Sequence, residues 1–168
     1  MRRILLTGMS ATGKSTITAA IAARGYKAVD LDSDAWSHWV DVVEDNAPGT
    51  PVGAGRDWVW RDDRVGKLLA EEGASILVIS GCSPNQGQFY PQLDAVVLLS
   101  APEPVVAMRL AARTGNNYGK GAGETERVLE LIREVEPILR DGATHEIDTS
   151  GTFDDVLDAV LRIVDPRS

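Results

Sequence analysis

The stretch Gly8-Met9-Ser10-Ala11-Thr12-Gly13-Lys14-Ser15 decides the fold. It fills every fixed position of the pattern G-x-x-x-x-G-K-[ST]. An apolar run, Ile4-Leu5-Leu6, precedes it, and a segment with apolar residues at Ile17, Ala20, Ile21 and Ala22 follows. The run reads as a strand and the segment as a helix, which is the context this pattern requires. In such a unit the glycines let the backbone curl until successive N–H groups point into one concavity. Those groups, with the positive end of the helix, hold phosphates. Gly8, Ser10, Ala11, Thr12, Gly13, Lys14, Ser15 and Thr16 are therefore the candidate ATP-binding residues. Lys14 is placed to reach the β- and γ-phosphates and to act in catalysis, and the Ser15 hydroxyl is a candidate Mg²⁺ ligand.

Working outward, Gly25 closes the first helix as a C′ glycine, and residues 27–31 read as a second strand that runs into Asp32-Ser33-Asp34. A helix is expected to begin near Ala35. Residues 41–57 carry Pro48, Gly49, Pro51, Gly53 and Gly55 among acidic residues, which is loop composition. Helical pattern is expected over 58–72. The apolar runs 75–80 and 95–99 read as central parallel strands. Helices are expected over 102–112, 125–140 and 153–164, with a short strand at 146–148. Strands alternating with helices predict an α/β fold of three layers, with a parallel sheet of about five strands between helices and a short lid. The 168 residues make one domain, 1–168, with 41–62 as an insertion on the acceptor side and 113–124 as the lid segment.

Composition narrows the function. Apolar residues at 43% and charged residues at 25% describe a chain that folds alone. A formal charge of −8 gives no basic field for nucleic acid or an anionic bilayer, so neither is expected as a partner. No apolar stretch near the N-terminus has the length of a signal or a membrane span. The single cysteine, Cys82, leaves no intramolecular disulfide and fits a reducing compartment, so a cytoplasmic location is expected. Neither His38 nor His145 is placed to activate Cys82, which reads as a small pocket-lining residue.

Two carboxylates at the end of a strand beside the P-loop strand sit where open α/β sheets bind ligands. At Asp32-Ser33-Asp34 the chain resembles the group of P-loop phosphotransferases that holds the shikimate kinases, gluconate kinases and nucleoside monophosphate kinases. The resemblance implies that Asp32 serves Mg²⁺ beside Ser15 and that Asp34 binds and orients the acceptor as a catalytic residue. Trp60-Arg61-Asp62-Asp63 is similar to the segment that carries an acceptor-binding arginine, which makes Arg61 a candidate. Gly81 matches one glycine of that group's triple-glycine loop, and Asn85 lies close after it. Met108-Arg109-Leu110-Ala111-Ala112-Arg113 resembles the helix end that enters the lid. Arg109 and Arg113, four apart on one helix face, are then expected to close over the phosphates. Ile147-Asp148-Thr149-Ser150 resembles the loop beside the adenine ring, with Thr149 as a candidate contact.

The departures bear on the acceptor. Val135 stands where shikimate kinases have a second carboxylate-binding arginine, and only Gly81 of the triple glycine is kept, so shikimate itself is disfavoured. Trp36, Trp39, Trp58 and Trp60 flank the 41–57 loop and either stack on a flat acceptor or pack as core. The expected activity is an ATP- and Mg²⁺-dependent transfer of the γ-phosphoryl group to a small-molecule acceptor: a nucleoside or nucleotide, a sugar acid or an antibiotic. The alternative is a nucleotide-dependent switch acting on a protein partner. Against it, the strand before Gly81 ends in Ser80 and not in an acidic residue. Oligomeric state is left open.

Overall fold

The computed structural model describes residues 1–41, 56–112 and 123–168. The chain runs β1 (Arg2–Thr7), α1 (Lys14–Ala23), β2 (Lys27–Asp30), β3 (Ser37–Asp41), β4 (Arg56–Trp60), α2 (Asp62–Ala70), β5 (Ile76–Ser80), β6 (Ala95–Ser100), α3 (Glu103–Ala112), α4 (Glu124–Gly142), β7 (His145–Asp148) and α5 (Phe153–Val164). Five strands form one sheet in the order β2-β5-β1-β6-β7. Every pair in it is parallel, and β1 lies at its centre with Leu5 opposite Ile79 on one side and Val96 on the other.

Period-2 alternation distributes the strand side chains between layers. Ile4, Leu6, Val78 and Val97 face α1 and α5, where Ile17, Ile21, Leu157 and Val160 complete one core. Leu5, Leu77 and Ile79 face the other way onto Val65, Leu68 and Leu69 of α2 and onto Trp60. Leu98 packs under α3 and α4 through Val106, Leu110, Leu131 and Ile132. This is the expected three-layer arrangement, with all five strands ending toward the glycine-rich loop. No helix among the described residues is long and apolar enough to cross a membrane.

Two expected elements are corrected. No helix starts near Ala35: residues 37–41 form β3. Residues 58–60 are not helical either; they belong to β4, pairing antiparallel with β3, and α2 starts only at Asp62. The reason is local. Ser37-His38-Trp39-Val40 and Trp58-Val59-Trp60 are rich in aromatic and β-branched residues, which lose rotamer freedom in a helix and pack well on a pleated surface. Asp62 and Asp63 favour the positive N-terminal turn of α2. A 3-10 segment over Gln86–Gln92 was also not expected. Residues 42–55 of the expected insertion and 113–122 of the expected lid, Arg113 among them, lie outside the described residues.

Candidate active site

The loop from Gly8 to Gly13 turns sharply, with positive φ at Gly8, Ala11 and Gly13. At Gly8 the turn leaves no room: a Cβ there would lie 2.3 Å from the Leu99 carbonyl oxygen. Thr12 Oγ1 donates to the Met9 carbonyl at 2.8 Å and pins the loop from inside. The first helical hydrogen bond of α1 runs from Ile17 N to Gly13 O, so the preceding N–H groups are left for a ligand. Lys14 bends back over the loop and donates to the Gly8 and Met9 carbonyls at 2.6 and 2.9 Å. Its ammonium thus stands where phosphate oxygens would compete for it.

The carboxylate joined to Ser15 belongs to Asp30, a residue that the sequence reading passed over: Ser15 Oγ donates to Asp30 Oδ2 at 3.0 Å. The other Asp30 oxygen accepts the backbone N–H of Asp32. Asp30 is the last residue of β2, which is not beside the P-loop strand as expected: β5 lies between β2 and β1, and α1 carries Ser15 across to it. One hydroxyl and one carboxylate suit Mg²⁺, which takes one or two protein ligands beside phosphate oxygens and water.

Asp32 follows two residues later, more exposed than Asp30. The Cys82 N–H faces both its oxygens at 3.3 Å. A Cβ on Gly81, whose φ is +152°, would approach Asp32 Oδ1 to 2.7 Å and Trp60 Nε1 to 3.1 Å, so only glycine lets this carboxylate settle here. The surrounding protein raises the Asp32 carboxyl above its ordinary value; Lys14 opposes the rise, Asp30 adds to it, and the Cys82 N–H and the Trp60 indole oppose it. A carboxylate made more basic within reach of Lys14 has the character of a proton acceptor. Cys82 is held in its thiol form mainly by burial, against the influence of Lys14 and Thr7.

Asp34 is exposed, and no described residue bonds to its carboxylate. Arg61, the N-cap residue of α2, reaches the Asp34 carbonyl through Nε at 3.3 Å, so these two candidates do meet. Asn85 is engaged otherwise. Its amide donates to Trp60 O at 2.9 Å and to Asp62 Oδ1 at 2.7 Å, and its oxygen accepts from Trp60 N and Ser83 Oγ. It ties the end of β4 to the loop after β5.

On the opposite side of the loop a cavity of about 400 Å³ is lined by Ala11, Gly13, Thr16, Arg109, Thr149 and Phe153, among others. Arg109 spans its mouth, with Nη1 donating at 3.0 Å both to Ala11 O and to Thr149 Oγ1. Thr149 in turn is fixed to Ser100 O by its N–H at 2.7 Å and its hydroxyl at 3.1 Å. The exposed Phe153 ring offers a flat apolar wall. Size and lining suit a nucleoside whose phosphates extend along the glycine-rich loop. Ser10 lies in the turn itself, partly exposed.

Known proteins share this fold. The family model described as AAA domain matches residues 4–130. Shikimate kinase 2 of Sodalis glossinidius (strain morsitans) is 23% identical over 176 residues, covering 99% of this chain and 98% of that protein. Among solved structures, shikimate kinase from Acinetobacter baumannii in complex with shikimate superposes with a TM-score of 0.63 at 16% identity, covering 98% of this chain and 93% of that one. Shikimate kinase from Bacteroides thetaiotaomicron gives 0.59 at 18% identity, with 96% of each chain covered. At these identities the structures establish the fold.

Proposed function

We propose that this chain, which belongs to the AAA domain family, is a small-molecule kinase that moves the γ-phosphoryl group of ATP to a hydroxyl of its acceptor. The observation that carries the reading is the convergence of Lys14, Ser15–Asp30 and Asp32 at one end of the sheet, between a nucleoside-sized cavity and an open acidic cleft. The shikimate kinase relatives support the same activity class. The loop N–H groups and Lys14 hold the β- and γ-phosphates. Ser15 and Asp30 hold Mg²⁺, whose charge offsets that of the transferring group. Asp32 accepts the proton of the acceptor hydroxyl as its oxygen bonds to the γ-phosphorus and the bond to the ADP oxygen breaks. Asp34 and Arg61 flank the acceptor, and Arg109 and Thr149 frame the nucleoside. The metal and base roles thus fall on Asp30 and Asp32, two residues before those the sequence resemblance pointed to. A cytoplasmic setting fits the one free thiol.

The test is coupled ADP release with ATP and Mg²⁺ against panels of hydroxyl-bearing small molecules, with Lys14→Ala as control. One class of acceptor should raise release at least tenfold in the wild type and not in the variant. ATP-Mg²⁺ binding with no acceptor-stimulated turnover sinks the kinase reading.

A further inference from the structure

Resting on the kinase reading and its assignment of Mg²⁺ to Ser15 and Asp30, we propose that Ser80 is a positioning residue for that metal. Its buried hydroxyl accepts a hydrogen bond from a water of the Mg²⁺ hydration shell.

Ser80 ends β5, the strand that lies between the two that flank the metal site. Register sets it opposite Leu6 of β1 on one side and Asp30 of β2 on the other. Neighbouring strands run about 4.8 Å apart, and residues paired across them point to the same face. That face is fixed by the residues two positions earlier. Val78 packs in the core under α1, with Leu6 beside it and Ala28 against its margin. Ser80 and Asp30 therefore both turn toward α1, where Asp30 Oδ2 accepts the Ser15 hydroxyl at 3.0 Å. The backbone holds this level firmly: Ser80 O accepts Leu31 N at 2.8 Å, and Gly81 N donates to Leu6 O at 3.1 Å.

The hydroxyl itself is left over. Ser80 is 1% exposed, and its Oγ has no hydrogen-bond partner. A buried hydroxyl without a partner costs stability, and after the buried aliphatic run Ile76-Leu77-Val78-Ile79 an alanine would end the strand without that cost. A partner arrives with the metal. Mg²⁺ sheds water reluctantly and takes only one or two protein ligands, so its remaining waters need acceptors around the site. Ser15 and Asp30 fill the protein positions, and Ser80, abreast of Asp30 on the same face, meets a water. Orientation of a metal's ligands from this distance is what a hydroxyl behind them supplies. Its neutrality has a reason too: Asp30 and Asp32 already stand at this edge, and a third carboxylate would be repelled by both.

Calorimetric titration of the full chain with ADP, in EDTA and across a series of Mg²⁺ concentrations, tests the proposal without turnover. Ser80→Ala should leave ADP affinity in EDTA unchanged and raise the Mg²⁺ midpoint of the tightening by about tenfold. The Tm of the ligand-free variant should equal or exceed that of the wild type, because an unpaired buried hydroxyl has gone. In an Asp30→Asn background Ser80→Ala should move the midpoint by less than about threefold, since both act on one ion. An unchanged midpoint overturns the proposal. So does a lowered Tm with an equal loss of ADP affinity in EDTA, which would make the hydroxyl a structural group. Failure of the kinase reading looks different: no acceptor raises ADP release, while the metal readouts, which need no acceptor, still stand.

Discussion

The Ser15 hydroxyl donates to the Asp30 carboxylate at 3.0 Å, joining the first turn of α1 to the last residue of β2. Asp32, the next carboxylate along, turns instead to the Cys82 N–H. The division of labour is measurable. Asp30→Asn should shift the Mg²⁺ midpoint of ADP release upward by about tenfold or more, since a neutral amide is a weaker ligand for a hard cation. Asp32→Asn should leave that midpoint in place and lower kcat by about 10²-fold to 10⁴-fold, the usual worth of a general base. Exchange of the two phenotypes would return the metal to Asp32.

Asp32 also sets a pH dependence of stability. Its folded-state carboxyl is raised above the unfolded value, chiefly by the protein around it. Folding therefore favours the protonated form. The resulting stabilisation is complete below the unfolded value of about 3.9 and is lost as pH rises through the folded one. At neutral pH the ionised group opposes folding. Asp32→Asn should accordingly raise the Tm of the ligand-free protein at pH 7, with the gain shrinking toward pH 4. Asp57 should behave alike: it is 4% exposed, its Oδ1 has no partner, and burial raises its carboxyl. A fall in Tm for both variants at pH 7 would show that these carboxylates are compensated.

The parallel sheet was legible because β1, β5 and β6 are apolar on both faces, and the glycine-rich loop because its pattern is strict. The hairpin was not. Its halves are brought together by long-range pairing across residues 42–55, and a window ending at Trp60 contains no trace of Ser37. The same distance hid the work of Asn85, whose partners Trp60 and Asp62 are more than twenty residues away. The contact of Ser15 with Asp30 was hidden for another reason: in an Asp-Leu-Asp-Ser-Asp run each of three carboxylates could lie beside Ser15, and only the end of β2 decides which one does.

Gly81 is the position where fold and chemistry constrain each other most tightly. Its φ of +152° disfavours any side chain, and a Cβ would press on Asp32 Oδ1 and the Trp60 indole together. Gly81→Ala should cost about 1–3 kcal/mol of stability from backbone strain and lower kcat through displaced Asp32. The loss should persist in Asp32→Asn for stability and vanish there for kcat, because the displaced group is no longer the base. An active, unshifted Gly81→Ala protein would contradict the placement of Asp32.

Arg109 links the glycine-rich loop to the segment after β7 through Ala11 and Thr149, and among the described residues no carboxylate pairs with it in a salt bridge, Asp148 only sensing its charge. Its charge is therefore available to a bound nucleotide while its hydrogen bonds fix the cavity's shape. Arg109→Ala should raise KM for ATP by about tenfold to a hundredfold, from hydrogen bonds to a charged group worth about 1.5–3 kcal/mol. Acceptor KM should change little, because the acceptor lies across the loop on the side of Asp32. Arg109→Lys keeps the charge and loses the fork that spans Ala11 and Thr149, so a partial recovery separates electrostatic attraction from the geometry of the cavity. Steady-state kinetics with each substrate varied in turn reads this split. An effect confined to acceptor KM would place Arg109 on the wrong side of the loop.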